Sequence, residues 1–171
     1  ARFSVSQFKQ DGYIENAYLE RDDTNDRDEL GVRFLLNTQF TNNWTLDTVL
    51  HYNDVDNGYD VFSLDNNRTT LSDEPGYDRL ESDAVKTTLN YLGWDNSRLE
   101  LSASILNADT AYAFDEDWTY VGIAPGWEYS SFDAYLRDRK DKTAEVRWLS
   151  DAPQTLLGVD SEWVAGVYYY D

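Results

Sequence analysis

A chain of 171 residues with 33 acidic and 14 basic side chains has a formal charge of -19 at pH 7, which argues against nucleic-acid binding, because phosphate recognition needs clustered Lys and Arg. With no cysteine there is no disulfide framework, zinc ribbon or thiol catalysis to consider, and one histidine does not make a His-based centre. Hydrophobic residues make up 41% and aromatic ones 15%, yet no run of about 18 apolar residues occurs, so a transmembrane helix is excluded.

Along the chain, the spacing predicts about seven strands and no helix, since no segment keeps a 3.6-residue period. The first strand covers 1–9 and begins directly in Ala1 to Phe8. The second covers 28–40, where Leu30, Val32, Phe34, Leu36, Thr38 and Phe40 share one face, because side chains two apart point the same way on a strand. After the short polar turn Thr41-Asn42-Asn43 comes 44–54, with Trp44, Leu46, Thr48, Leu50 and Tyr52 on one face. Thr45, Asp47, Val49, His51 and Asn53 lie on the other, which gives His51 a place on a polar face. Strands at 83–93 and 98–110 follow, and in the latter Leu99, Leu101, Ala103 and Ile105 oppose Arg98, Glu100, Ser102 and Ser104. The last two cover 141–150 and 160–170. Gly166 to Asp171 still reads as strand, so the chain is expected to start and stop inside a repeating pattern, as a fragment would; no leader pattern is seen.

The turns after 40, 93 and 150 are expected to be short, and the connections 10–27, 55–82 and 111–140 long. Short on one side and long on the other is the asymmetry of barrels from bacterial outer membranes. Aromatics follow the same plan. Phe40 and Trp44 flank one turn, Tyr91 and Trp94 another, and Tyr52, Tyr112 and Tyr168-Tyr169-Tyr170 are expected at the opposite strand ends. Rings at both ends of an apolar band suit two membrane interfaces. A soluble sandwich would show the same alternation, so the period alone does not decide. The expected fold is all-β: an antiparallel up-and-down meander of about seven strands, forming an arc of a large transmembrane β-barrel over residues 1–171.

The wording of the loops adds to this. Residues 10–19, opening Gln10-Asp11-Gly12-Tyr13, and 21–30, with Arg21-Asp22-Asp23-Thr24-Asn25-Asp26-Arg27, resemble the early barrel region of TonB-dependent outer-membrane receptors. So do 56–68, Asp115-Glu116-Asp117-Trp118-Thr119-Tyr120, and the terminal Trp163-Val164-Ala165-Gly166-Val167-Tyr168-Tyr169. The resemblance implies an importer in the bacterial outer membrane for a scarce nutrient, such as a ferric siderophore, cobalamin or a glycan. Its partners would be outer-membrane lipid, lipopolysaccharide and the TonB complex; no cofactor is implied. The family's barrel has about 22 strands around a plug. Neither plug nor TonB box is found here, so contact with the TonB complex would run through other parts of a receptor.

Ligand recognition would sit in the long loops. Asp56, Tyr59, Asp60, Arg68, Trp118, Tyr120, Trp127 and Tyr129 are the candidates, because aromatic faces among carboxylates can stack on a chelate or sugar and hold its polar edges. Asp54, Asp56 and Asp60 around Gly58 suggest a calcium loop, although the glycine falls one position early for an EF-hand and no bidentate Glu follows. The 21–29 segment could share divalent cations with lipopolysaccharide phosphates. Catalysis is not expected, since nothing sets Asp115 and Asp117, or Glu100 and Asp47, across a cleft. Two other readings remain: a soluble carbohydrate-binding module using Trp118, Tyr120, Trp127 and Tyr129, and a small complete outer-membrane barrel.

Overall fold

The computed structural model describes residues 1–171 except 152 and 157. Its elements are β1 (Arg2–Gln10), β2 (Glu15–Asn16), β3 (Arg27–Gln39), β4 (Trp44–Tyr59), β5 (Thr69–Thr70), β6 (Gly76–Tyr91), β7 (Ser97–Asp115), β8 (Phe132–Ser150), β9 (Gln154–Leu156), β10 (Val159–Ser161) and β11 (Val164–Tyr170). β1, β3, β4, β6, β7, β8 and β11 form one antiparallel sheet in that order. The protein is therefore all-β, and its seven-stranded meander is not closed into a barrel.

Register converts the sequence alternation into continuous rows. Leu46, Leu89, Leu101, Val146 and Val167 are successive cross-strand partners, and so are Phe3, Phe34, Leu50, Val85 and Ile105. These rows fall on one face, the apolar face. The neighbouring residues carry a polar ladder on the other: Asn37 Nδ2 donates to Asp47 at 2.7 Å and Asn90 Nδ2 to the same carboxylate at 3.1 Å. Further along, Glu100 accepts from Arg98 at 3.1 Å and from its cross-strand partner Arg147 at 2.7 Å. Direct cross-strand pairs of this kind each contribute roughly 0.2–1 kcal/mol.

No second layer covers the apolar rows. Val167 is 75% exposed, Phe3 66% and Trp148 48%, while Ile14 and Ala113 are the buried hydrophobic side chains among the described residues. In β8 the apolar side, Ala144, Val146 and Trp148, is exposed, whereas Thr143, Glu145 and Arg147 opposite are half-buried. This inverts the arrangement of a soluble sheet, which hides its apolar side.

The band also slants. Its last apolar residues toward the long loops are Leu30 on β3, Tyr52 on β4, Val85 on β6, Ile105 on β7 and Ala144 on β8. That edge retreats by six residues across four strand steps, about 5 Å along the strands per 4.8 Å across them, a slope near 45°. Tilts of about 35–45° characterise membrane barrels. At the turn end, contacting rings run Trp44–Tyr91–Trp94–Trp148–Trp163, with centroids 4.7, 5.1, 5.9 and 4.9 Å apart.

Several boundaries differ from the sequence reading. β4 reaches Tyr59, β6 starts at Gly76, β7 reaches Asp115 and β8 starts at Phe132, so the connections expected at 55–82 and 111–140 shrink to 60–75 and 116–131. Beyond the band the apolar face turns charged at Asp54, Glu81, Asp109 and Asp138, so the ladder continues where alternation no longer marks it. The connection after Ser150 is not short: it holds the β9–β10 hairpin, and β11 begins at Val164 rather than 160. The aromatics expected at the loop ends divide. Tyr52 and Tyr169 share the apolar face, while Tyr112, Tyr168 and Tyr170 fall on the polar one.

Candidate functional site

Segments 11–26, 60–75 and 116–131 meet at one end of the sheet and are pinned pairwise. β2 pairs in parallel with β5, and Glu15 N donates to the Arg68 carbonyl at 2.9 Å. Beneath this bridge lies Asn16, fully buried. Its Nδ2 donates to Asp60 at 2.8 Å and to the Ser72 carbonyl at 2.9 Å, while its Oδ1 accepts from Leu19 N at 2.9 Å. Thr70 Oγ1 donates to the same Asp60 oxygen at 2.8 Å. The second and third segments join through Asp73 N, donating to the Thr119 carbonyl at 3.1 Å, and through Phe62 stacked on Trp118 at 5.0 Å. The first and third join through Tyr18 stacked on Tyr120 at 4.1 Å.

The third segment is built on two aspartates. Asp115 Oδ1 accepts from Asp117 N and Trp118 N at 3.0 and 3.1 Å, which holds Trp118 at φ 62° against Phe62. Asp117 accepts from Thr119 N at 3.0 Å, Thr119 Oγ1 at 2.7 Å and Ser131 N at 2.8 Å, closing the segment's two ends. Asp115 is buried, with its Oδ2 lacking a hydrogen-bond partner; removal from water raises its carboxyl above the usual value. At the tip, Gly122 and Gly126 take φ +92° and +79°, conformations that side chains resist, and Gly122 N donates to the Trp127 carbonyl at 2.9 Å.

Below the cap, the polar face of the sheet becomes aromatic. Tyr59 lies 4.9 Å from Tyr112 and 5.9 Å from Phe62; Phe114 is 5.7 Å from both Phe62 and Tyr112; Tyr135 stacks near Tyr112 at 6.3 Å. A hollow of about 300 Å³ opens here between Thr110, Tyr112, Tyr135 and Arg137. Flat rings beside a guanidinium can take a planar ligand bearing negative charge.

Of the sequence candidates, the structure brings Tyr59 and Trp118 together through Phe62, and Tyr120 joins the cap on Tyr18. Asp60 is buried as the acceptor that ties two segments, with no face left for a ligand. Arg68 lies over Tyr13 at 5.7 Å, beside a second hollow that also includes Glu15 and Arg21. Trp127 and Tyr129 pair with each other at 6.3 Å on the exposed tip. Asp56 does not join the site: it sits on the strand face shared with Leu50, bonded to Arg79 at 2.6 Å. The calcium reading fails for the same reason. Residues 54–59 are strand rather than loop, Asp56 is held by Arg79 while Asp60 is buried against Asn16 and Thr70, and no three acidic or histidine side chains among the described residues are disposed around one ion.

Sequence reasoning missed Asn16, Thr70 and Ser72, single polar residues with no pattern of their own, and it missed Arg137. A signal existed for Arg137: continuing the β7 alternation past 110 puts Tyr112 and Phe114 on the polar face, and β8 pairing then sets Tyr135 and Arg137 beside them. Comparison with protein-family models, curated proteins and solved structures returned no match.

Proposed function

We propose that the chain is an arc of the wall of a TonB-dependent receptor in a bacterial outer membrane, importing a scarce nutrient, with a ferric siderophore or similar chelate the best-fitting class. The observation that carries this is the uncovered apolar band, slanted at barrel tilt and bordered by contacting aromatic rings at the turn end. The apolar face would meet outer-leaflet lipid and lipopolysaccharide, and the polar ladder would line the lumen. The capped loops and the Tyr112–Tyr135–Arg137 hollow would form the ligand-facing mouth.

Two observations weigh against the other readings. A soluble module would need a second layer over Leu46, Leu89, Leu101 and Val146, and none is present among the described residues. In a seven-stranded meander β1 and β11 run in the same direction, so joining them directly would make a parallel seam. An antiparallel ring needs an odd number of further strands between them, which favours a larger barrel over a ring of these seven. The test is energised uptake by cells bearing the full-length protein, supplied with radiolabelled ferric hydroxamate, ferric catecholate or cobalamin. The reading expects one ferric chelate to accumulate only in energised cells, and Trp118→Ala to weaken its binding about tenfold. Equal accumulation with and without the protein for every probe would refute it.

A further inference from the structure

The apolar face changes character abruptly where the band stops, and it does so in register. On β8 the exposed Ala144, Val146 and Trp148 give way toward the loops to Lys142 and then Lys140, also exposed. Lys142 is the cross-strand partner of Ile105, and Lys140 that of Asn107. Two of the chain's four lysines therefore stand on the rim of the band. Among the described residues neither has a carboxylate within 4.0 Å, whereas Lys9 bonds Asp28 at 2.5 Å. The next row on this face is Asp54, Glu81, Asp109 and Asp138, each the direct partner of the next across four strands. Like charges directly opposite one another oppose strand pairing.

We propose that this rim docks a phosphorylated lipid whose acyl chains lie on the apolar band, whose phosphates meet Lys140 and Lys142, and whose divalent counter-ions bridge to the carboxylate row. The proposal rests on the membrane reading above and names the partner of that face. Three features select this occupant. The band below is continuous with the rim and suits acyl chains. The two lysines lack a partner of their own and complement phosphate. The carboxylates would repel a bare phosphate but accept one that arrives with divalent cations. These acids are spread over strands about 4.8 Å apart, so among the described residues no three converge on an ion unaided, and lipid phosphate oxygens would complete its shell.

The experiment measures binding of diphosphorylated lipid A to the full-length protein in detergent by native mass spectrometry, with magnesium or with a chelator. Wild type should bind more weakly once magnesium is chelated. Lys140→Ala with Lys142→Ala should lose about thirtyfold, from about fivefold per lysine. Asp109→Asn with Asp138→Asn should bind without needing magnesium. Unchanged binding by the lysine variant, or binding indifferent to chelation in wild type, would overturn the proposal. A nitroxide at Val146 in bilayers separates the two levels: accessible to lipid-soluble oxygen while lipid A binding ignores the lysines, the rim proposal alone falls; inaccessible to it, the membrane reading falls as well.

Discussion

Replacing Ala103 with arginine is the most informative perturbation of the sheet. Ala103 lies exposed on the apolar face between Thr87 and Ala144, midway along the β7 stretch from Leu99 to Ile105. Its side chain is one methyl group, so the exchange removes almost no packing, and the measured effect is that of adding a charge. On a water-facing sheet such an exchange stays within about 0.5 kcal/mol of wild type. At the middle of a bilayer arginine costs about 2–4 kcal/mol, falling to about 0–1 at the interfaces. Asn107→Arg, at the loop-side rim, should then cost about 0–1 kcal/mol, and Ser102→Arg, on the polar face, should fall outside this depth series. The assay is denaturant unfolding of the full-length protein reconstituted in lipid vesicles. An Ala103→Arg variant as stable as wild type, or no more costly than Asn107→Arg, would refute the argument from the band.

The loop cap makes two further predictions. Asn16→Ala removes three hydrogen bonds, leaves buried Asp60 with Thr70 as its remaining side-chain donor and strips the Ser72 carbonyl of its Asn16 donor, costing the cap about 1–3 kcal/mol; amide exchange should accelerate in 11–26 and 60–75 while β6 and β7 keep their protection. Asp115 makes the cap pH-sensitive. Because its folded carboxyl is raised, its contribution is fully present below the ordinary carboxylate range and is lost as pH rises through the raised value. Asp115→Asn keeps the carbonyl that accepts from Asp117 and Trp118 but carries no charge, so protease cleavage within 116–131 should slow at neutral pH and lose its dependence on acidification.

Strand positions and the two faces were legible in the sequence wherever the band lies, because each apolar row there leaves a period of two. Leu46 to Leu50 and Leu99 to Ile105 are placed as the alternation implies. The same signal vanished at Asp54, Glu81 and Asp109, which share the apolar side of their strands yet are charged, so four strand ends were read as loop. Pairing there is held by backbone bonds and local contacts such as Arg79 with Asp56, which leave no periodic mark. The candidate site was legible as chemistry, not as geometry. Trp118 and Tyr59 were visible as aromatics, but their meeting depends on Phe62 and on a turn set by Asp115. The buried tie of Asn16 to Asp60 spans 44 residues, a separation no local pattern encodes.

Whether the apolar face lies against lipid is decided by scanning single nitroxides from 98 to 110 in the full-length protein in bilayers. Collision with oxygen and with a water-soluble nickel chelate would be measured at each site. A lipid-facing band gives a period of two, with oxygen favoured at 99, 101, 103 and 105, the chelate favoured at 100, 102 and 104, and the oxygen signal fading beyond 107. Equal access of the water-soluble reagent to both sets would contradict it.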